Sequence, residues 1–222
     1  MLETLQLQNT QAPEYSIIWL HGLGADGSDF MPIAEELSLP IPVRFVFPHA
    51  PVMPVTLNGG YQMRAWYDIY SLDSLRVEDA TGINTTQTKI TELIQQEVQR
   101  GIPEHHILLA GFSQGGAIAL HTALRHPRPL AGILALSTYL PLASSLPGEQ
   151  NPANAHIPIF MAHGSFDSVI TPELAQKSRG ILDRAGYNIE WHEYPMAHSV
   201  CNEEIGDIRQ FIIRALQLEK NR

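Results

Sequence analysis

The segment G-F-S-Q-G-G at residues 111–116 says more about the fold of this chain than any other part of the sequence. It lies directly after the apolar run 107–110 and directly before the helix-favouring run 117–120. A strand, an abrupt turn and a helix in that order match the nucleophile elbow, in which a serine is held on a tight turn with its Oγ exposed above a sheet. Side chains in place of the flanking glycines would collide with the adjoining strand and helix. Any G-x-S-x-G can also be an ordinary glycine-rich loop, but its position here favours Ser113 as a nucleophile.

Apolar runs alternate with amphipathic segments, which predicts an α/β fold with a mostly parallel sheet and helices on both faces. The candidate strands are 17–20, 43–47, 107–111, 132–136, 157–161 and 189–194, the last of them polar enough for a sheet edge. Helical patterns occupy about 83–100, begin at Thr171-Pro172, and place Ile205, Ile208, Ile212 and Leu216 on one face of a C-terminal helix. The proline- and glycine-rich segment 48–61 is expected to form a loop or irregular hairpin over the sheet.

The length of 222 residues fits a single domain over residues 1–222. Only about twenty residues separate the strands expected at 132–136 and 157–161, which is roughly the length of one ordinary connection. That leaves no room for a large helical cap, so we expect no cap domain and an open or shallow cleft.

A serine nucleophile needs a base, usually histidine, that is oriented by a carboxylate, and behind an elbow the chain order is serine, acid, histidine. Asp167 follows the strand expected at 157–161, at the carboxyl end where active-site loops gather. His198 lies between the last strand and the final helix, whereas the other five histidines after Ser113 are assigned structural or surface roles. Four further carboxylates fall in helical or strand patterns that suit solvated positions: Glu173, Asp183, Glu190 and Glu193. The predicted triad is Ser113, Asp167 and His198.

Two backbone N–H groups are expected to bind the oxyanion that forms during attack. One belongs to Gln114, at the start of the helix behind the serine, where the helix dipole also favours negative charge. The other is assigned to Leu23, because the glycines on either side let its backbone approach a substrate closely. His21 is expected to shape this loop rather than to act as a base.

The same loop also matches a dinucleotide-binding fingerprint, Gly22-x-Gly24-x-x-Gly27 after a strand. That motif requires an acidic residue about twenty positions on, where this chain has F-V-F-P-H-A instead. The carboxylates of Asp26 and Asp29 would also repel a pyrophosphate. We therefore reject an NAD-dependent enzyme, the clearest competitor from another class. His192-Glu193 and His198 do not match the zinc motif H-E-x-x-H, so neither a metal nor a cofactor is expected.

The charge balance excludes several kinds of partner. Fourteen basic against 23 acidic residues give a formal net charge of −9, and no basic cluster is available for nucleic acid or an anionic membrane surface. The longest apolar stretch, residues 130–146, is too polar for a membrane span, and the first residues lack the pattern of a signal peptide. The single cysteine, Cys201, cannot form an internal disulfide and suits a reducing compartment. We expect a cytoplasmic protein without integral membrane association.

The motifs together resemble the carboxylesterase and acyl-protein thioesterase family of α/β-hydrolases, most closely its bacterial carboxylesterase branch. The matching segments are I-I-W-L-H-G-L-G-A-D-G (17–27), P-H-A-P-V-M-P-V-T-L-N-G-G-Y (48–61), W-Y-D-I (66–69), G-F-S-Q-G-G (111–116), H-G-S-F-D-S-V-I (163–170) and Y-P-M-A-H (194–198). This resemblance implies a nearly cap-less α/β-hydrolase fold with the triad and oxyanion donors given above. Thr171 in place of a frequent proline and Ala197 in place of a frequent glycine are departures that remove no catalytic group.

The resemblance also implies what the protein cleaves. Its expected substrates are short- to medium-chain carboxyl esters, and the alternative is an acyl-protein thioesterase or lysophospholipase that acts on long acyl chains. By analogy Ile69 and Leu72 would line an acyl groove that Trp66 braces, although core positions fit these three residues nearly as well. Partners would then be an acyl ester, a lysophospholipid or an S-acylated substrate, with a homodimer left open. A non-catalytic binding protein of hydrolase ancestry is the alternative from a different functional class.

Overall fold

A computed structural model describes residues 1–71 and 77–217 of the chain. Seven strands form one sheet, and a further pair forms a separate antiparallel hairpin. In chain order the strands are β1 (Thr4–Gln8), β2 (Tyr15–Leu20), β3 (Val43–Pro48), β4 (Val52–Val55), β5 (Tyr61–Arg64), β6 (Ile107–Phe112), β7 (Gly132–Leu136), β8 (Ile159–Gly164) and β9 (Ile189–Tyr194). The main sheet has the order β1-β3-β2-β6-β7-β8-β9, and β1 is its antiparallel member. The mostly parallel α/β sheet predicted from the sequence is confirmed.

Helices cover both faces of this sheet because successive side chains of a buried strand point to opposite sides. The helices are α1 (Met31–Glu36), α2 (Ala80–Gln99), α3 (Gln114–Arg125), α4 (Leu146–Glu149), α5 (Pro172–Arg184) and α6 (Asn202–Gln217). In β2, Ile18 and Leu20 pack into the core that contains α2, α3 and α5, whereas Ile17 and Trp19 pack into the core that contains α1 and α6. Within the described ranges, every helix is too short or too polar to cross a bilayer.

Several strand boundaries differ from the sequence prediction by one to three residues, and one strand was not predicted. β8 begins at Ile159 rather than at residue 157, because Pro158 has no N–H to contribute to a ladder, and it continues to Gly164. β1 is the strand that was not predicted. Segment 48–61 contains β4 and the start of β5, so of its two predicted alternatives, a loop or an irregular hairpin, the structure has the hairpin. The polar strand β9 lies at an edge, as predicted.

The connection between β7 and β8 contacts both ends of α3, because the Thr138 hydroxyl donates to the Ser113 carbonyl and the Asn151 N–H donates to the Leu124 carbonyl. It contains the four-residue helix α4 and a single 3-10 turn at Pro152–Asn154. This connection therefore contains no cap domain, as the sequence predicted, and loops bound the site at the carboxyl ends of the strands.

Candidate active site

Ser113 occupies a strained turn between β6 and α3. Its backbone angles, φ 54° and ψ −120°, are unfavourable for a residue with a side chain, and such strain persists only where the surroundings enforce it. Here the Ser113 N–H donates to the Leu136 carbonyl at 2.9 Å, and the Ser113 carbonyl accepts from the Thr138 hydroxyl at 2.6 Å. The neighbouring strand β7 and the residues after it therefore hold the turn in place, with the Ser113 side chain on the cavity side.

The glycines around Ser113 are required by contact with backbone. A Cβ on Gly111 would lie 2.3 Å from the carbonyl carbon of Gly115, and a Cβ on Gly115 would lie 2.3 Å from the Leu20 oxygen. Both distances are far inside van der Waals contact, so strand β2, the elbow and α3 approach one another only because these residues lack side chains. The steric reason inferred from the motif is confirmed.

Asp167 and His198 form a hydrogen-bonded pair beside this turn. The His198 Nδ1–H donates to Asp167 Oδ2 at 2.7 Å. The Asp167 side chain is fully buried, and its Oδ1 accepts the backbone N–H groups of Val169 at 2.8 Å and Ile170 at 3.0 Å. With Nδ1 carrying a proton toward the carboxylate, Nε2 of the neutral imidazole is left with a lone pair. The pair thus has the orientation that a general base requires.

Ser113 and His198 line the same cavity, which has a volume of about 250 Å³. Phe112 packs its ring against the imidazole at a centroid distance of 4.7 Å and so limits its rotation. Within the described residues no hydrogen bond joins the Ser113 hydroxyl to His198; catalytic bonds of this kind commonly tighten only when substrate is bound. The structure brings all three predicted triad residues to one site, two of them already bonded.

His163 also contacts the acidic member of this group, and the sequence gave it only a structural role. Its Nε2 donates to the Ile170 carbonyl at 2.7 Å and lies 3.5 Å from Asp167 Oδ2. Burial lowers the pKa of His163, which favours a neutral ring next to the carboxylate. His163 therefore closes the turn from Asp167 to Ile170 without supplying a competing positive charge.

The loop after β2 brings Leu23 to the cavity that Ser113 lines. Leu23 and Gln114 both line the cavity, and no hydrogen bond between described residues occupies the Leu23 N–H. The next N–H, that of Gly24, donates to the Arg64 carbonyl at 2.9 Å and ties the loop to β5. The two backbone groups predicted to bind an oxyanion are therefore placed on one cavity; their role stays a prediction.

His21 fixes the base of this loop. Its Nε2 accepts the Ala50 N–H at 3.1 Å, so the proton is on Nδ1, which donates to the Gly22 carbonyl at 2.7 Å. Burial lowers the pKa of His21 to about 4, and the ring is neutral under ordinary conditions. This matches the loop-shaping role expected from the sequence.

The glycine pattern of the rejected dinucleotide fingerprint has a packing explanation. A Cβ on Gly27 would lie 2.6 Å from the Phe47 carbonyl oxygen, so the third glycine permits close approach of β3. Gly24 has φ +78°, which favours glycine for conformational reasons. The described residues also contain no group of three or more side chains arranged to hold a metal ion.

The three residues assigned to an acyl groove have different outcomes. Ile69 lines the cavity. Trp66 does not: it is 2% exposed and lies behind the wall, with its indole N–H donating to the His21 carbonyl at 2.8 Å and its backbone N–H donating to the Gln114 side chain at 2.9 Å. This position supports the wall rather than contacting substrate. Leu72 lies outside the described residues.

Most of the apolar wall was not identified from the sequence. Besides Ile69, the side chains that face the cavity include Leu57, Tyr67, Phe112, Tyr139, Val169 and Ile170. They come from separate segments, and long-range bonds hold these together: the Leu57 N–H donates to the Ile69 carbonyl at 2.8 Å, and the hydroxyls of Tyr67 and Tyr139 are 2.7 Å apart. All of these except Tyr139 lie inside the motif segments quoted above, which was the one local signal, but nothing in the motifs showed which of their side chains face the cavity.

Comparison with known proteins adds relatives that extend over nearly the whole chain. The phospholipase/carboxylesterase family matches residues 6–216. Acyl-protein thioesterase 1 of Cryptococcus neoformans is 38% identical over 234 residues, which cover 97% of this chain and 98% of that protein. Acyl-protein thioesterase 1 of Neurospora crassa is 40% identical over 213 residues, or 90% of this chain and 86% of that protein. The crystal structure of Zea mays acyl-protein thioesterase 2 superposes with a TM-score of 0.87 at 27% identity, and covers 97% of this chain and 100% of its own.

Proposed function

This chain belongs to the phospholipase/carboxylesterase family of serine hydrolases, and we propose that it cleaves acyl esters and acyl thioesters through an acyl-enzyme on Ser113. One observation carries the proposal: the 2.7 Å bond from His198 to the buried Asp167, at the cavity that Ser113 also lines. A strained serine, an oriented imidazole and a buried carboxylate in one cavity have no evident structural purpose. A non-catalytic binding protein would not need them.

In the first half of the proposed reaction, Ser113 Oγ attacks the carbonyl carbon of the substrate while His198 Nε2 accepts its proton. Asp167 stabilises the imidazolium that forms. The carbonyl oxygen becomes an oxyanion, which the N–H groups of Leu23 and Gln114 bind, and the dipole of α3 adds to this stabilisation. His198 then gives its proton to the departing alcohol or thiol. A water molecule, deprotonated by His198, attacks the acyl-enzyme in the same way and releases the acid.

Two substrate classes remain candidates. Two relatives that align with at least 90% of this chain are named acyl-protein thioesterases, which favours an S-acylated substrate over simple esters. The size of the cavity favours the other class: about 250 Å³ lies below the range of about 300–1,000 Å³ typical of pockets for drug-sized ligands, and suits a short or medium acyl chain. Both share the same reaction, because the oxyanion donors contact the carbonyl oxygen rather than the leaving atom.

A chain-length series tests the proposal and separates the two classes. We expect kcat/KM for matched p-nitrophenyl esters and acyl thioesters to rise about fourfold for each methylene that the groove buries, from about 0.8 kcal/mol each. An optimum at short or medium chains supports the ester candidate, and a continued rise to long-chain thioesters supports the thioesterase candidate. The matched control is Ser113→Ala, for which turnover should fall about 10⁶-fold. Turnover that survives this substitution would refute the acyl-enzyme.

A further inference from the structure

One carboxylate lies among the described residues that line the catalytic cavity, and it belongs to Asp29. It is in the loop between β2 and α1, which also contributes Gly22, Leu23 and Ala25 to the same wall. The other side chains of the lining, apart from Ser113, Gln114 and His198, are apolar or aromatic. A solvent-exposed acidic group therefore belongs to the lining of a cavity whose other walls suit an alkyl chain.

Asp29 has no structural task that explains this position. Its carboxylate forms no hydrogen bond or ion pair with another described residue, and it does not cap α1, whose N-cap residue is Phe30 and which has no side-chain cap bond. Asp26, three residues earlier, shows the contrast: its Oδ1 accepts the Ser28 N–H at 2.8 Å and the Ser28 hydroxyl at 2.6 Å, which forms a local turn. One carboxylate of the loop is used by the fold, and the other faces the cavity.

The charge on Asp29 is also uncompensated. Partial desolvation, together with the Asp26 carboxylate, raises the pKa of Asp29, which is the response expected where no cation offsets the negative charge. The chain as a whole has a formal net charge of −9. A cleft that presents one sign of charge concentrates ligands of the opposite sign at its mouth.

The two parts of a substrate differ in how they suit this carboxylate. An alkyl chain packed against Asp29 would displace water from the charge without offering a partner, which is unfavourable. The same chain can instead bury itself against Leu57, Ile69 and Ile170. With the acyl chain packed there, the alcohol or thiol portion is the part of the substrate left to contact Asp29.

We propose that Asp29 makes this enzyme selective for substrates whose leaving group carries a positive charge. The inference rests on the proposed function, since it needs an acyl group on Ser113 and a departing alcohol or thiol. A quaternary ammonium headgroup and a basic peptide around an S-acylated cysteine share this chemistry. Asp29 contacts the departing alcohol or thiol directly, and it lowers the transition-state free energy for cationic substrates relative to anionic ones.

The test uses three butyryl thioesters that differ in the charge of the thiol: thiocholine (cationic), mercaptoethanol (neutral) and 3-mercaptopropionate (anionic). kcat/KM is measured at pH 8 and low ionic strength for the wild type and for Asp29→Asn. For each protein, kcat/KM of each charged thioester is divided by kcat/KM of the neutral one. Comparing these ratios between the wild type and the variant cancels the intrinsic reactivity of the thioesters. We expect kcat/KM for the cationic thioester divided by kcat/KM for the anionic one to fall about five- to tenfold in the variant. This is the size of effect expected from removing an interaction between partly screened unit charges several ångströms apart. Added salt at 0.5 M should reduce the wild-type preference.

Glu36→Gln is the matched control, because it removes one negative charge from an exposed position on α1 that does not line the cavity. Its ratio should stay near that of the wild type. An unchanged ratio in Asp29→Asn, or an equal fall in Glu36→Gln, would overturn the proposal. If the wild type fails to cleave even the neutral thioester, the proposed function itself fails. If the wild type cleaves that thioester but Asp29→Asn leaves the ratio unchanged, only the leaving-group selectivity is refuted.

Discussion

Replacement of Asp167 by asparagine should remove catalysis by reversing the histidine tautomer. Oδ1 of Asp167 accepts two backbone N–H groups, so the amide oxygen of an asparagine would take that position and its NH₂ group would face His198. An N–H donor facing Nδ1 requires a lone pair there, which moves the ring proton to Nε2. Nε2 could then no longer accept the proton of Ser113. In a comparable triad this substitution lowers kcat about 10⁴-fold, equivalent to about 5.5 kcal/mol of transition-state stabilisation.

The assay is the steady-state hydrolysis of p-nitrophenyl butyrate, with Ser113→Ala giving the baseline of about 10⁶-fold loss. Asp183→Asn is the control, because this half-exposed carboxylate on α5 pairs with Arg179 away from the cavity and should change kcat less than twofold. Near-ultraviolet circular dichroism establishes that each variant is folded. A kcat for Asp167→Asn within tenfold of the wild type would refute the tautomer argument. It would mean that a different carboxylate orients His198.

Two further predictions concern protonation and packing. Burial raises the pKa of Glu204 from 4.5 to about 8, so the folded state retains a proton that the unfolded chain loses, and stability should fall as pH rises through that interval. In urea unfolding, Glu204→Gln should reduce this loss of stability by as much as about 5 kcal/mol across the interval, and an unchanged pH dependence would rule out the buried carboxyl as its source. Gly115→Ala should destabilise the fold by more than about 3 kcal/mol because its Cβ would meet the Leu20 oxygen, whereas Gly148→Ala, with open space around it, should cost about 1 kcal/mol or less in thermal unfolding; equal effects would contradict the packing argument.

The parallel sheet was predictable because its central strands are continuous apolar runs, which leave few alternatives for a chain of this length. β1 was not, since its alternating residues in T-L-Q-L-Q form too short a pattern to distinguish from coil. It is ordered by pairing with β3, a partner about forty residues away in the chain. The hairpin of β4 and β5 was predicted only as one of two alternatives, a loop or an irregular hairpin, because Pro54 lies inside it, and proline is tolerated in such an edge strand but argues against a strand in sequence.

The polar parts of the site followed from local patterns, whereas its walls did not. Ser113, Asp167 and His198 each lie in a short motif at the end of a strand, and parallel strands bring those ends to one edge. The cavity wall depends on which side chains of distant loops face inward. Trp66 was expected to brace the groove, and it does lie behind the wall, but the bond that holds it there, to the His21 carbonyl across 45 positions of sequence, could not be read from the local pattern. Asp29 was noticed only as a charge that would repel a pyrophosphate.

The account depends most on Ser113 being an activated nucleophile. Treatment of the folded protein with a fluorophosphonate, followed by proteolysis and mass spectrometry of the peptides, measures this directly, because the reagent forms a covalent adduct with a serine that an adjacent base activates. We predict a single adduct on Ser113, lost in Ser113→Ala and strongly slowed in His198→Ala. A folded wild-type protein that remains unlabelled at Ser113, or an adduct on a different residue, would contradict the account.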